Sequence, residues 1–316
     1  MQKLNLQQIS YNKRTANLFL LGAPKCATTS LYKLLSKIDS IYCPREKEPH
    51  YYFSPHGSNL SSFDYESLYS GAKTSDRYLV DASIWYLFYF KKVATKILEN
   101  SINPKFIVCI RNPYELAMSL HAQKIQSGHE SVASFKRALS YNNERNNGIF
   151  TGIVGLPESA CPRHMAYINV CMLGEQIKTV LDYIPTQNLK IISFDDFNNN
   201  PKETLENLMT FLNIDKPLLP AFPKEGVTHR YRSAYLQTTL NIIGGVKSRY
   251  FSGVKPTGLF RHFHGYNKID ISLARPKFSP QCFFTPMQCQ AIDNDIEVIS
   301  RIINHNLDHW KSGSYL

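Results

Sequence analysis

The stretch Leu18 to Leu35, LFLLGAPKCATTSLYKLL, decides how the rest of the chain is read. An apolar run, Leu18 to Leu21, stops at Gly22-Ala23-Pro24-Lys25, and the segment beyond it carries Leu31, Leu34 and Leu35 at i, i+3, i+4 spacing. Strand, tight loop and helix follow from that pattern. Such a loop directs backbone N–H groups, the positive end of a helix dipole, the Lys25 ammonium and the hydroxyls of Thr28 and Thr29 at one small volume. Phosphate and sulfate are the groups that fit there. The arrangement is not a Walker A motif, in which lysine directly precedes the hydroxyl residue, because Lys25 stands three positions before Thr28.

A second stretch, KFIVCIRNPYELAMSLHAQ from Lys105 to Gln123, has the same logic. Phe106 to Ile110 is a continuous apolar, β-branched run of the kind found in buried parallel strands. Asn112-Pro113 then breaks the strand before an amphipathic helix. Arg111 falls at the carboxyl end of the strand and Ser119 two helical turns on, at the edge where open α/β sheets bind ligands. A guanidinium offers a rigid, permanently charged fork suited to phosphate. The residues alone also allow an ion pair with Glu115.

With Pro-Lys-Cys-Ala-Thr-Thr-Ser at 24–30, the loop resembles the 5′-phosphosulfate loop of sulfotransferases that use 3′-phosphoadenosine 5′-phosphosulfate (PAPS), usually P-K-x-G-T-T. Ala27 stands where that family usually has glycine, which demands a backbone that tolerates a Cβ. Arg111-x-Pro113 with Ser119 looks like the family's 3′-phosphate motif, R-x-P-x-x-x-x-x-S. Lys47-Glu48-Pro49-His50-Tyr51-Tyr52-Phe53 is similar to the K-E-x-H-F-F segment of heparan sulfate sulfotransferases and related bacterial enzymes, whose glutamate is the base. Those enzymes often carry E-K-T-P-x-Y further on; Asp81-Ala82-Ser83-Ile84-Trp85-Tyr86 lacks that lysine. NLKIIS at 188–193, the helix-compatible run after Pro201 and a closing helix from Met287 to Trp310 are compatible with the same family, so the resemblance spans about Asn17 to Trp310.

The resemblance implies a P-loop-type α/β fold with a central parallel sheet flanked by helices on both faces. It implies PAPS as donor and PAP as product, Lys25 and Glu48 as catalytic residues, and no metal. Lys25, Ala27, Thr28, Thr29 and Ser30 would hold the 5′ end, Arg111 and Ser119 the 3′-phosphate, and Arg230 and Arg232 would belong to a late basic loop over the nucleotide. Asp195 and Asp196 are read as adjacent residues on a strand that face opposite ways, an architectural pair rather than a metal site.

At 316 residues, with 43% hydrophobic and 19% charged content, the chain has the composition of an enzyme with a substantial core. No linker or repeat divides it, so residues 17–316 read as one domain, after a polar segment at 1–16. A polar, glycine-containing stretch around 125–165 reads as an insertion that shapes the acceptor site. Tyr167 to Tyr183 reads as a helix. The polar start MQKLNLQQIS, the lack of a long apolar run and seven scattered cysteines without a C-x-x-C pair predict a cytoplasmic protein with reduced thiols.

The net charge is +11, and between Lys224 and Lys277 ten Lys or Arg stand against two acids. Two other functions therefore stay open beside sulfuryl transfer to a carbohydrate or small-molecule acceptor. A P-loop kinase would share the strand-loop-helix and bind ATP with magnesium. A non-catalytic module would bind polyanions through 224–277 and have no use for Lys25. The enzyme reading carries no expectation of nucleic acid as partner.

Overall fold

Leu18–Gly22 forms β1, and every one of its residues is buried. A strand covered on both faces needs no polar alternation, which is why its sequence is a plain apolar run. The computed structural model describes residues 15–54, 60–152, 160–215, 229–231, 268–270 and 279–315. These divide into two compact units, one drawn from 1–110 and 179–223, the other from 111–178 and 224–316.

In the first unit, β1 is central in a five-stranded sheet with β2 (Ile41–Tyr42), β3 (Tyr78–Asp81), β4 (Lys105–Ile110) and β5 (Leu189–Ser193), in the order β2-β3-β1-β4-β5. Every pairing is parallel, with Phe19 opposite both Asp81 and Phe106. The chain leaves β1 toward one side of the sheet and enters β4 on the other, so the carboxyl ends of these two neighbours form a switch point where ligands bind in such folds. Phe19 stacks on Phe106 at 5.5 Å between ring centroids. Helix α1 (Thr28–Leu35) follows β1 directly, α2 (Ser62–Ser67) opens with a capping box from Ser61 and Asp64, and α3 (Phe90–Asn100) buries Phe90, Val93, Ala94 and Ile97.

The second unit begins with Arg111 and α4 (Pro113–Gln126), whose Asn112 cap accepts from the Tyr114 amide at 3.0 Å. Short helices α5 (Phe135–Ser140) and α6 (Asn142–Asn146) follow. The stretch read as an insertion holds these helices, and its polarity has a specific use. Glu130 and Arg145, both fully buried, pair at 2.6 Å, and Tyr167 donates its hydroxyl to the same carboxylate at 2.9 Å. A buried pair with its remaining lone pairs satisfied tolerates loss of neither partner.

The helix expected over Tyr167 to Tyr183 is interrupted at Met172, giving α7 (Tyr167–Cys171) and α8 (Leu173–Leu181). The amides of Gly174 and Glu175 instead reach the Asp295 carboxylate at 2.8 and 2.9 Å. In the first unit, Asp195 and Asp196 also differ from expectation. They lie in the first turn of α9 (Phe194–Asn199), where Ser193 accepts from the Asp195 amide, and not on a strand; α10 (Pro201–Leu212) follows. Acids in a first turn favour the helix dipole. In the second unit, α11 (Pro286–Ile303) carries Asp295 and buries Ile292, Ile296 and Ile299. Among the described residues no helix is long and apolar enough to cross a membrane.

A Cβ at Gly174 would lie 2.7 Å from the Asp295 carbonyl oxygen, a contact that backbone must move to relieve. Gly174→Ala is therefore expected to destabilise the second unit by about 1–3 kcal/mol, read as a lower urea midpoint with an unchanged slope.

Candidate active site

Between β1 and α1 the chain turns through Ala23 to Ala27. The Ala23 amide donates to the Cys109 carbonyl at 2.9 Å, which ties the loop to β4, and the Cys26 amide donates to the Ala23 carbonyl at 3.3 Å. Lys25 and Ala27 both adopt left-handed backbone, at φ 64 and φ 60. Left-handed residues in a short loop are what turn successive N–H groups toward one side. Ala27 caps α1 without a side-chain hydrogen bond, and the first turn holds no acid. The amides of Thr28, Thr29 and Ser30 precede the first intrahelical bond, from Leu31 N to Ala27 O. Thr28 and Ser30 are buried, Thr29 is exposed and Lys25 is half-buried. The result is a positive helix end that nothing on its own first turn neutralises.

The segment after β2 carries the carboxylate. Glu48 Oε1 lies 2.6 Å from Lys47 Nζ, and its Oε2 lies 3.6 Å from His50 Nε2. Burial pushes the Glu48 carboxyl up, but His50 and Lys47 outweigh it and hold the group below the usual carboxylate range. Glu48 and His50 are again left-handed, at φ 63 and φ 50. Such residues cost about 1–2 kcal/mol each and persist only where their surroundings hold them. Here the His50 amide donates to Ser83 Oγ at 2.9 Å and the Tyr52 amide to the Tyr86 hydroxyl at 3.0 Å. Tyr51 stacks on Tyr65 at 4.2 Å. His50 Nδ1 is buried with no hydrogen-bond partner among the described residues.

In the second unit, Arg111 is 8% exposed, and its Nε and Nη2 donate to Glu115 Oε2 at 3.1 and 2.6 Å. The ion pair that the sequence allowed is thus formed, and it fixes the guanidinium at the start of α4. Ser119 is buried on the same helix. His121 is buried too, with Nε2 donating to the Val132 carbonyl at 2.9 Å, and burial pushes its imidazole below the ordinary value.

A family model described as the sulfotransferase domain matches residues 15–237. The chain belongs to the sulfotransferase family. No curated protein sequence matches it. Among solved structures, a sulfotransferase from Alicyclobacillus acidocaldarius aligns at TM-score 0.64 and 20% identity, over 94% of this chain and 99% of that one, and shares the fold. A mouse sulfotransferase, SULT7A1, complexed with PAP, aligns at TM-score 0.47 and 13% identity, over 97% of this chain and 89% of that one.

This sulfotransferase places the residues singled out in its sequence unevenly. Lys25, Ala27, Thr28, Thr29 and Ser30 lie on one loop and helix end, and Glu48 lies in the same unit. Arg111 and Ser119 lie on or next to α4 in the other. Arg230 falls in β6 (His229–Tyr231), opposite Ile269 of the antiparallel β7 (Lys268–Asp270). Arg232 and most of the basic stretch from 224 to 277 lie outside the described residues. Ser83 and Tyr86, which hold the Glu48 segment by its backbone, were not singled out. Their contacts join residues more than thirty apart and leave no periodic trace.

Against the expectation of a backbone that tolerates a Cβ, Ala27 is left-handed, so alanine stands at a conformation that favours glycine and does so at a cost. Ala27→Gly should unfold at the same urea concentration or a higher one, by up to about 1 kcal/mol, with PAP affinity retained in calorimetry. Ala27→Val should lose on both counts.

Proposed function

We propose that the chain uses PAPS as its donor and moves the sulfuryl group to a hydroxyl or amine of an acceptor, with Glu48 as general base. The observation that carries this reading is the uncapped, acid-free helix end beside the left-handed Lys25–Ala27 loop, in a chain of the sulfotransferase family. The donor set fits a 5′-phosphosulfate: main-chain amides at 27–30, the Thr28 and Thr29 hydroxyls, and one lysine. When bound, PAPS supplies an activated sulfuryl group, whose bond to the 5′-phosphate breaks as the acceptor's bond to sulfur forms.

Lys25 neutralises the charge that develops on the departing phosphate oxygen. Glu48 takes the proton of the acceptor hydroxyl or amine. Its carboxylate is available for this because Lys47 and His50 keep it ionised. The buried His121 has its Nε2 committed to the Val132 carbonyl. Arg111 and Ser119 are assigned to the 3′-phosphate, with Glu115 holding the guanidinium ready, and Arg230 and Arg232 to the nucleotide. We read the acceptor as a carbohydrate or other small molecule on the Lys47–Phe53 segment, nucleic acid not being among the partners. We place the reaction in the cytoplasm.

PAP should raise the melting temperature, by roughly 2.7 kcal/mol of stabilisation at a hundredfold excess over Kd. ATP with magnesium should do much less, and Arg111→Ala should lose about tenfold or more in PAP affinity but little for adenosine 5′-phosphosulfate. Equal shifts from PAP and ATP would support the kinase; no shift from either, with salt-sensitive heparin binding, would support the polyanion module.

Glu48→Gln should leave PAP affinity unchanged and lower PAPS turnover, with water or an acceptor as nucleophile, about a hundredfold. Because its pKa is depressed, ionised Glu48 persists as pH falls toward 4.5, so its acid limb in kcat/KM should lie below pH 4.5. A variant with full turnover, or a limb near neutrality, would move the base elsewhere.

A further inference from the structure

The Glu48 carboxylate sits on a backbone that does not hold itself. Two left-handed residues, Glu48 and His50, flank Pro49, and the next hydrogen bonds that fix the segment come from one short stretch after β3. Ser83 is fully buried there. Its Oγ accepts from the His50 amide at 2.9 Å and donates to Asp81 Oδ1 at 2.6 Å, and its own amide donates to the same oxygen at 3.0 Å. Asp81 is 1% exposed, and its other oxygen accepts from the Tyr65 hydroxyl at 2.9 Å and more distantly from Tyr86. A buried carboxylate with this many donors is a fixed point.

The same stretch reaches the phosphate-type loop. Leu87 donates its amide to the Leu21 carbonyl at 2.8 Å, and Gly22 passes the Ile84 carbonyl so closely that a Cβ there would lie 2.7 Å from it. Asp81 to Leu87 therefore touches the end of β1 through its main chain, and the Glu48 segment through two hydroxyls. We propose that Ser83, braced by Asp81, is a positioning residue that sets the pose of the Glu48 carboxylate relative to the loop after β1. Through the His50 amide it keeps His50 in its left-handed conformation and the imidazole beside Glu48 Oε2. The inference rests on the reading of Glu48 as the base.

Removing this hydroxyl spares the stacked Tyr51 and Tyr65 and the contacts of Leu87, so the segment stays attached while losing its register. Ser83→Ala should bind PAP within about twofold of the parent in calorimetry and hydrolyse PAPS, with water as acceptor, about tenfold to a hundredfold more slowly, the scale of a small misplacement. Ser83→Thr, which keeps the hydroxyl, should restore the rate. In Glu-selective 13C spectra, the Glu48 carboxyl of Ser83→Ala should titrate at higher pH than in the parent, as its hold on His50 loosens. Added to Glu48→Gln, Ser83→Ala should cost little more, because it acts through a group already gone. A full additional loss in that background, with Glu48→Gln itself impaired, would overturn the positioning role alone. Full activity of Glu48→Gln would overturn the choice of base and this inference with it. Equal losses of PAP affinity and rate, or an unmoved Glu48 titration, would show that Ser83 serves the fold only. Should Ser83→Ala not fold, Tyr86→Phe, which removes the acceptor of the Tyr52 amide, carries the same measurements, with a rate loss and a moved Glu48 titration expected and neither of them overturning the inference.

Discussion

A Cβ on Gly22 would lie 2.7 Å from the Ile84 carbonyl oxygen and 3.0 Å from Leu87 Cβ, so β1 ends at a point where only glycine lets two segments pass. That crossing governs the loop beyond it. It lets Leu21 accept from the Leu87 amide and places Ala23 to donate to Cys109, so the loop after β1 is held from both neighbouring strands' sides before it turns. The left-handed turns at Lys25 and Ala27 come only after this fixed exit. A loop entered from a looser strand end would have no reason to present the α1 amides in one pose.

How much could be read from residues alone depends on how far each signal travels along the chain. Buried parallel strands carry continuous apolar runs, so Leu18–Gly22 and Lys105–Ile110 were legible within a residue or two. The left-handed backbone at Ala27 was not legible, because an alanine in the loop suggested a conformation that tolerates a Cβ. Nor was Met172, since the break there is made by Asp295, far along the chain, which takes the amides a continuous helix would have left at Gly174 and Glu175. Asp195 and Asp196 were misplaced for the opposite reason, a local one. Ser193 both ends the strand and caps the next helix, so Asp195 and Asp196 open that helix. Ser83, Tyr86 and the Glu130–Arg145 pair are polar residues in buried places, and sequence pattern treats buried polarity as loop until a partner is known.

Two charged groups singled out in the sequence, one in each unit, are balanced in opposite ways. Arg111 spends two of its donors on Glu115 Oε2, on its own helix's first turn, a pair that orients the guanidinium while reducing the field it offers an anion. Any phosphate that approaches shares that arginine with a carboxylate, so orientation is obtained at some cost in attraction. Around Glu48 one carboxylate lies between the Lys47 ammonium and the His50 ring. This keeps it ionised but lowers its basicity, and a base of low pKa is effective only if its geometry is good.

Geometry at Glu48 is therefore where the free energy goes. Two left-handed residues there cost about 1–2 kcal/mol each, and a neutral hydrogen bond contributes about 0.5–1.5 kcal/mol net. The bonds from His50 to Ser83 and from Tyr52 to Tyr86 are thus of the same order as the strain, and the Tyr51–Tyr65 stack adds about 0.5–1.5 kcal/mol. A segment balanced this closely keeps its shape only while every contact is made. Asp81 matters for that reason: a buried carboxylate that fixes Ser83 by two bonds and Tyr65 by a third couples the stack and the backbone anchor, so that neither can shift without the other. In the role proposed for it, the weakly basic Glu48 carboxylate owes its pose to a polar cluster that, from its burial and its aromatic content, looks like ordinary core.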